Sequence, residues 1–204
     1  MPRRLRFLRL PRLAALALCA LWFALAGGPA LAQSLLERGA GDSPDASVSQ
    51  SEQVQAELVA HAPEGVAPGR RVWVGLRLQH APDWHTYWKN SGDSGLPTEL
   101  HWTLPPGVTA GEIAWPTPRK FPLDNLANYG YDGTILLPVP LNIDAGFQDA
   151  RLDIGLEATW LVCRKECIPG EAKLRLRIPA QGSTAMHGQL FDDTLAAIPA
   201  EEPP

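Results

Sequence analysis

From Leu152 to Val162 every even-numbered residue is apolar: Leu152, Ile154, Leu156, Ala158, Trp160 and Val162. Asp153, Gly155, Glu157, Thr159 and Leu161 fill the odd positions between them, and all but Leu161 are polar or Gly. Successive side chains of a strand point to opposite faces, so this alternation demands a long strand with one face buried. Further on, Leu174, Leu176 and Ile178 alternate with Lys173, Arg175 and Arg177, which gives an antiparallel return strand. Between the two runs stands Cys163-Arg164-Lys165-Glu166-Cys167, followed by Ile168-Pro169-Gly170. A three-residue loop brings both sulfurs within bonding range and places them at the hairpin tip. A hairpin of this kind must bury its apolar face against a second layer.

Short alternating runs cut by Pro and Gly supply that layer. Strands are expected at Val54–Ala60, Arg71–Leu78, Leu100–Leu104, Ala110–Trp115, Gly133–Val139, Arg151–Val162 and Ala172–Ile178. Seven or so short strands spaced by turn signals, with almost no helical period, predict an all-β antiparallel sandwich. Asp83–Thr98 is long and polar and reads as a loop, its aromatics facing a substrate or capping the sandwich. Asn128–Gly133 reads as a second, aromatic loop, approached by the stiff segment Trp115–Phe121. The one helical stretch is Thr184–Ala197, where Met186, Leu190, Leu195 and Ile198 share a face. It runs into an acidic, Pro-rich tail ending at Pro204.

The first 32 residues have the anatomy of a secretory leader. Arg3, Arg4, Arg6, Arg9 and Arg12 precede the apolar run Leu13–Ala26, and Ala30-Leu31-Ala32 offers a cleavage site. That run is short for a membrane span. Residues 33–53, rich in Ser, Gly, Asp and Ala, read as a flexible lead-in, residues 54–180 as the folded domain, and 181–204 as helix and tail. Removal of the leader takes five of the 18 basic residues and none of the 22 acidic ones, leaving a net charge of −9. So acidic a chain is not expected to bind nucleic acid.

Without the leader, Cys163 and Cys167 have only each other, since Cys19 lies within it. Three readings of the pair stay open on residues alone. A domain of this size does not need a disulfide for stability, yet a structural staple across a hairpin remains the plainest one. The second is a reversible redox pair: Arg164 and Lys165 favour thiolate, Glu166 opposes it, and a tight loop eases reduction. The third is a soft-metal site joined by His85 or His101, as in a copper-handling module. A hydrolase is not supported, because His85 has no Ser or acidic partner at a telling spacing.

Four segments together resemble the periplasmic N-terminal domain of the DsbD family of thiol:disulfide interchange proteins, particularly its ScsB-like branch. They are His85-Thr86-Tyr87-Trp88 with Gly92-Asp93-Ser94-Gly95-Leu96-Pro97, Trp115-Pro116 with Pro118 and Phe121, Asn128-Tyr129-Gly130-Tyr131 with Gly133, and Trp160-Leu161-Val162-Cys163 with Cys167-Ile168-Pro169-Gly170. The resemblance implies an immunoglobulin-like sandwich located in the periplasm, with Cys163 and Cys167 as the exchanging pair. One of them would form a mixed disulfide and the other resolve it, with no organic cofactor and no metal. It further implies a transmembrane DsbD-type electron donor and thioredoxin-fold periplasmic acceptors. A lid would be formed around Tyr129 and Tyr131, with His85 and Trp88 facing the substrate. The chain departs from the family in its tighter three-residue cysteine spacing. Family proteins also continue into a multi-helix membrane domain, so the chain is expected to be either a free-standing version or a piece whose tail leads into the membrane. The rival class is a periplasmic copper-handling or protein-interaction module whose disulfide is structural.

Overall fold

The computed structural model describes residues 46–123 and 126–198. The expected leader, residues 33–45 of the lead-in and residues 199–204 of the tail lie outside the described residues. Two antiparallel sheets face each other. The first runs β1 (Val48–Gln50), β2 (Val54–Ala62), β3 (Val72–His80), β9 (Thr134–Ile143), β6 (Val108–Ala110), and β12 (Thr184–Ala185) also pairs with β2. The second runs β11 (Cys167–Pro179), β10 (Arg151–Cys163), β4 (His85–Gly92), β8 (Leu126–Asp132), β7 (Arg119–Leu123), and β5 (Glu99–Thr103) also pairs with β10. A single short helix among the described residues, α1 (Gly188–Ala196), completes an immunoglobulin-like sandwich.

Alternation decides which side of each strand is buried. The even positions of β10 from Leu152 to Val162 enter the core with the even positions of β2 and β3. Full burial of one Leu-, Ile- or Val-sized side chain contributes about 1.5–3 kcal/mol. The odd positions of β10 face outward, where Asp153 and Glu157 pair with Arg177 and Lys173 of β11. Trp160 lies opposite Gly170, where any Cβ would strike the indole. On the outer side of the first sheet a second cluster forms from Val59, Leu136 and Phe191, flanked by Trp73, Met186 and Leu190.

The structure departs from the sequence expectation in several segments. Val48–Gln50, expected in the flexible lead-in, forms β1, because Val48 to Gln50 pair in register with Glu57 to Gln55. Asp83–Thr98 is not one loop: its first half is β4, a run of aromatic and β-branched residues suited to a pleated surface. Asn128–Gly133 lies almost wholly in β8, with only Gly133 left as the turn into β9. In Ala110–Trp115 only Ala110 is strand, the chain beyond it making backbone hydrogen bonds from Gly111 and Ala114 to Pro140 and Pro138. The helix is shorter than Thr184–Ala197, and its buried residues are Phe191 and Thr194, with Met186 and Leu190 packed alongside.

Candidate functional site

The hairpin of β10 and β11 keeps register over its whole length, from Arg151 opposite Pro179 to Cys163 opposite Cys167. The cysteines are bonded, with Cα atoms 4.1 Å apart. Their environments differ. Cys163 is 3% exposed, whereas Cys167 is exposed. Topology explains this: β11 is an edge strand, while β10 has β4 on its other side, and His85 of β4 is the register partner of Cys163.

The row continues across the sheet, since His85 is in turn opposite Asp132 of β8. Residues directly opposite in an antiparallel pair share a face with Cβ atoms roughly 4.5–5.5 Å apart. Cys167, Cys163, His85 and Asp132 therefore line up on one outward face over four strands. Both carboxylate oxygens of Asp132 accept from the Arg119 guanidinium at 2.6 Å. The His85 ring stacks on Phe121, with centroids 4.5 Å apart and 9° between planes. Burial holds the His85 pKa below its ordinary value, and the Asp132 carboxylate works against that shift. His85 is thus chiefly neutral at neutral pH.

One step along β4 on the same face is Tyr87, 2% exposed. Its hydroxyl lies 3.8 Å from Cys167 Sγ and donates, because a disulfide sulfur has no proton to give. Burial raises the Tyr87 pKa, so the phenol keeps that proton. The ring rests on Gly95, whose φ is +94° and where a Cβ would overlap the ring. The Gly95 loop is anchored by Asn128, whose side-chain oxygen accepts from the Ser94 backbone N–H at 3.1 Å and from its hydroxyl at 3.0 Å. At the hairpin tip the Arg164 guanidinium sits 5.0 Å from the ring centroid of buried Trp84.

The other face of β4 and β8 carries the remaining expected residues. Tyr131 is opposite Thr86, and its hydroxyl donates to the Pro116 carbonyl at 2.7 Å. Burial pushes its pKa well up. Tyr129, 37% exposed, shares that parity on β8, and Trp88 follows Tyr87 into the bulge of β4, so the phenol within reach of a sulfur is that of Tyr87. His101 pairs with Glu157, six residues before Cys163, or about 20 Å along the strand. Among the described residues no group of three or more His, Cys, Asp or Glu is placed to hold a metal ion. Sequence reasoning missed Tyr87, Phe121 and Asp132. The signal that finds Tyr87 is parity: once Trp84–Trp88 is read as a strand, His85 and Tyr87 must share a face.

Behind the site, buried His80 links the two sheets. Its Nδ1–H donates to the Gly133 carbonyl at 2.9 Å, so Nε2 carries no proton and accepts from the Thr86 hydroxyl at 3.0 Å. Burial lowers its pKa, outweighing the Gly133 carbonyl and Asp132.

Fold and site together define a sandwich domain with an asymmetric disulfide at an edge hairpin. The chain belongs to the family described as thiol:disulfide interchange protein DsbD, N-terminal, which it matches over residues 52–179. In fold it is similar to the N-terminal periplasmic domain of ScsB from Proteus mirabilis, with a TM-score of 0.56 and 22% identity. That likeness covers 79% of this chain and 62% of the other, so the chain spans less than two thirds of that structure. The reduced DsbD n-terminal domain of Neisseria meningitidis matches at a TM-score of 0.32 and 12% identity, over 63% of this chain and 86% of that one. No curated protein sequence matches the chain. No helix among the described residues is long and apolar enough to cross a membrane.

Proposed function

We propose that this chain is a periplasmic dithiol carrier, with residues 54–180 as its exchange domain. It takes electrons from a transmembrane DsbD-type donor and passes them to oxidised thioredoxin-fold proteins. The unequal exposure of the two sulfurs carries this reading, because a structural staple has no use for it. In the reduced domain the Cys167 thiolate attacks the partner's disulfide, and the mixed disulfide forms on Cys167. Cys163 then attacks Cys167 Sγ, the bond to the partner breaks, and the partner leaves with the electron pair. The redox group is the disulfide itself, and no organic cofactor is required. Tyr87, with Phe121 over His85, shields the pair from stray thiols and takes the lid role.

Trapping tests the reading. Cys163→Ser leaves the exposed Cys167 with no resolving thiol, so it should accumulate a mixed disulfide with a thioredoxin-fold protein. Cys167→Ser should trap little. Equal trapping by both variants, or by neither, would overturn the assignment of roles, and absence of exchange in the parent domain would overturn the function.

A further inference from the structure

The mechanism above needs the buried Cys163 to lose its proton, and a thiol covered by its own sheet has no ready access to hydroxide. We infer that Cys163, His85 and Asp132 form a proton relay laid along one row of the sheet, with His85 as the base for the resolving thiol. This inference rests on the exchange reading and assigns a catalytic residue within it. The row geometry carries it: Cys163 is the direct partner of His85, and His85 of Asp132, so thiol, imidazole and carboxylate follow one another on a single face. Two neighbours fix the imidazole and the carboxylate. Phe121 stacks flat on the imidazole, and Arg119 grips the Asp132 carboxylate through both oxygens.

With the partner bonded to Cys167, the Cys163 S–H proton passes to the unprotonated ring nitrogen of His85. The Cys163 thiolate attacks Cys167 Sγ, forming the Cys163–Cys167 bond and breaking the Cys167–partner bond. The electron pair leaves on the partner's sulfur, which is protonated by the imidazolium or by solvent. The partner disulfide is reduced by two electrons and the domain dithiol is oxidised. The transient imidazolium stacks on Phe121 and feels the Asp132 carboxylate, both of which favour a cation, while Arg119 tempers the carboxylate. The relay starts from neutral His85, which its burial provides at neutral pH. The charged and titratable groups around His85 are Asp132 from β8, Arg119 from β7, His80 from β3, Cys163 from β10 and Tyr87 of its own strand.

The experiment uses the reduced chain and a small aromatic disulfide, 5,5′-dithiobis(2-nitrobenzoate), followed by stopped flow across the pH range. Attack by Cys167 releases the first chromophore and resolution by Cys163 the second. His85→Gln should slow the second release by about tenfold or more at neutral pH, at the low end of what a positioned base provides. The first release should stay within about twofold. The deficit should narrow as the pH rises into the alkaline range, where hydroxide deprotonates Cys163 without the base. Asp132→Asn, which keeps the shape of the row, should give a smaller deficit of the same kind. A second release unchanged in both variants, or slowed equally at every pH, overturns the relay while leaving exchange intact. Failure of the parent chain to give a second release overturns the exchange reading and the relay with it.

Discussion

Reduction of the Cys163–Cys167 bond is a perturbation whose cost can be worked out from the fold. The ring it closes spans only residues 163–167, and chain entropy gives a cross-link of that length about 2 kcal/mol. The strands it joins need little help. All 13 residues of β10 pair with the 13 of β11, and β10 alone sends six apolar side chains into the core. For a domain of this size 1 kcal/mol moves the midpoint by about 2–4 °C, so reduction should lower Tm by about 4–8 °C. Thermal unfolding followed by tryptophan fluorescence, oxidised against fully reduced, reads this directly, because Trp84 and Trp160 are both buried in the core near the hairpin end. The Cys163→Ala/Cys167→Ala double variant should match the reduced protein. A loss of more than about 10 °C, or a reduced state without native tertiary signal, would mean that the bond organises the hairpin and that the staple reading is the better one.

Gly95→Ala forces a side chain into the left-handed region and into the Tyr87 ring, at a combined cost of about 2–4 kcal/mol in urea unfolding, and should speed reduction of the disulfide by a small thiol. Unaltered stability and reactivity would show that Tyr87 is not seated on this loop. Tyr87→Phe keeps the ring but removes the donor on Cys167. Losing a hydrogen bond to a charged group should cut the ionised fraction of Cys167 at neutral pH by about tenfold or more, read as ultraviolet thiolate absorbance in Cys163→Ser. Acid should destabilise the domain. His80 and His85 are both held below their ordinary pKa of 6.5, so below that pH the unfolded chain binds protons that the folded one refuses. Stability is then level above about 6.5 and falls as the pH drops through it, and a Tm that rises or stays constant between pH 7.5 and 5 would contradict this. The reduction potential of the pair should lie above about −280 mV, within the range of exchange proteins, and a value well below −300 mV would place it with structural disulfides.

The central hairpin was legible because its signal is redundant. Six apolar residues at every second position, a matching return and a cysteine at each end of the turn all fix one register, and the structure has that register. The site around it was harder to read for a physical reason. β4 and β8 carry Asn, Gly, Asp and Lys, residues depleted in strands, because a bulge between Tyr87 and Gly92 and close approach at Gly130 interrupt the ladder. Composition therefore described these segments as loops, and a loop has no parity. Tyr129 and Tyr131 were attractive as lid residues only while their backbone was unassigned. Once it is a strand beside β4, Tyr131 is opposite Thr86, and the phenol within reach of Cys167 Sγ is that of Tyr87. Asp132 could not be found by spacing at all, since its link to Cys163 runs through two interstrand pairings between residues far apart in sequence.

Strand order, more than cysteine spacing, sets the chemistry of this pair. Two cysteines opposite each other across a tight turn are nearly equivalent in an isolated hairpin. Here β11 is the sheet edge and β10 is interior, so one sulfur is presented to solvent and the other is backed by β4. The edge position makes Cys167 available to a partner, and the interior position gives Cys163 a histidine neighbour that solvent alone would not supply. Had the hairpin been docked by β11 instead, the exposures of the two sulfurs would be exchanged with no change in the sequence of the turn. The asymmetry that thiol exchange requires is thus a property of the sheet, inherited by the cysteines from the order in which the strands pack.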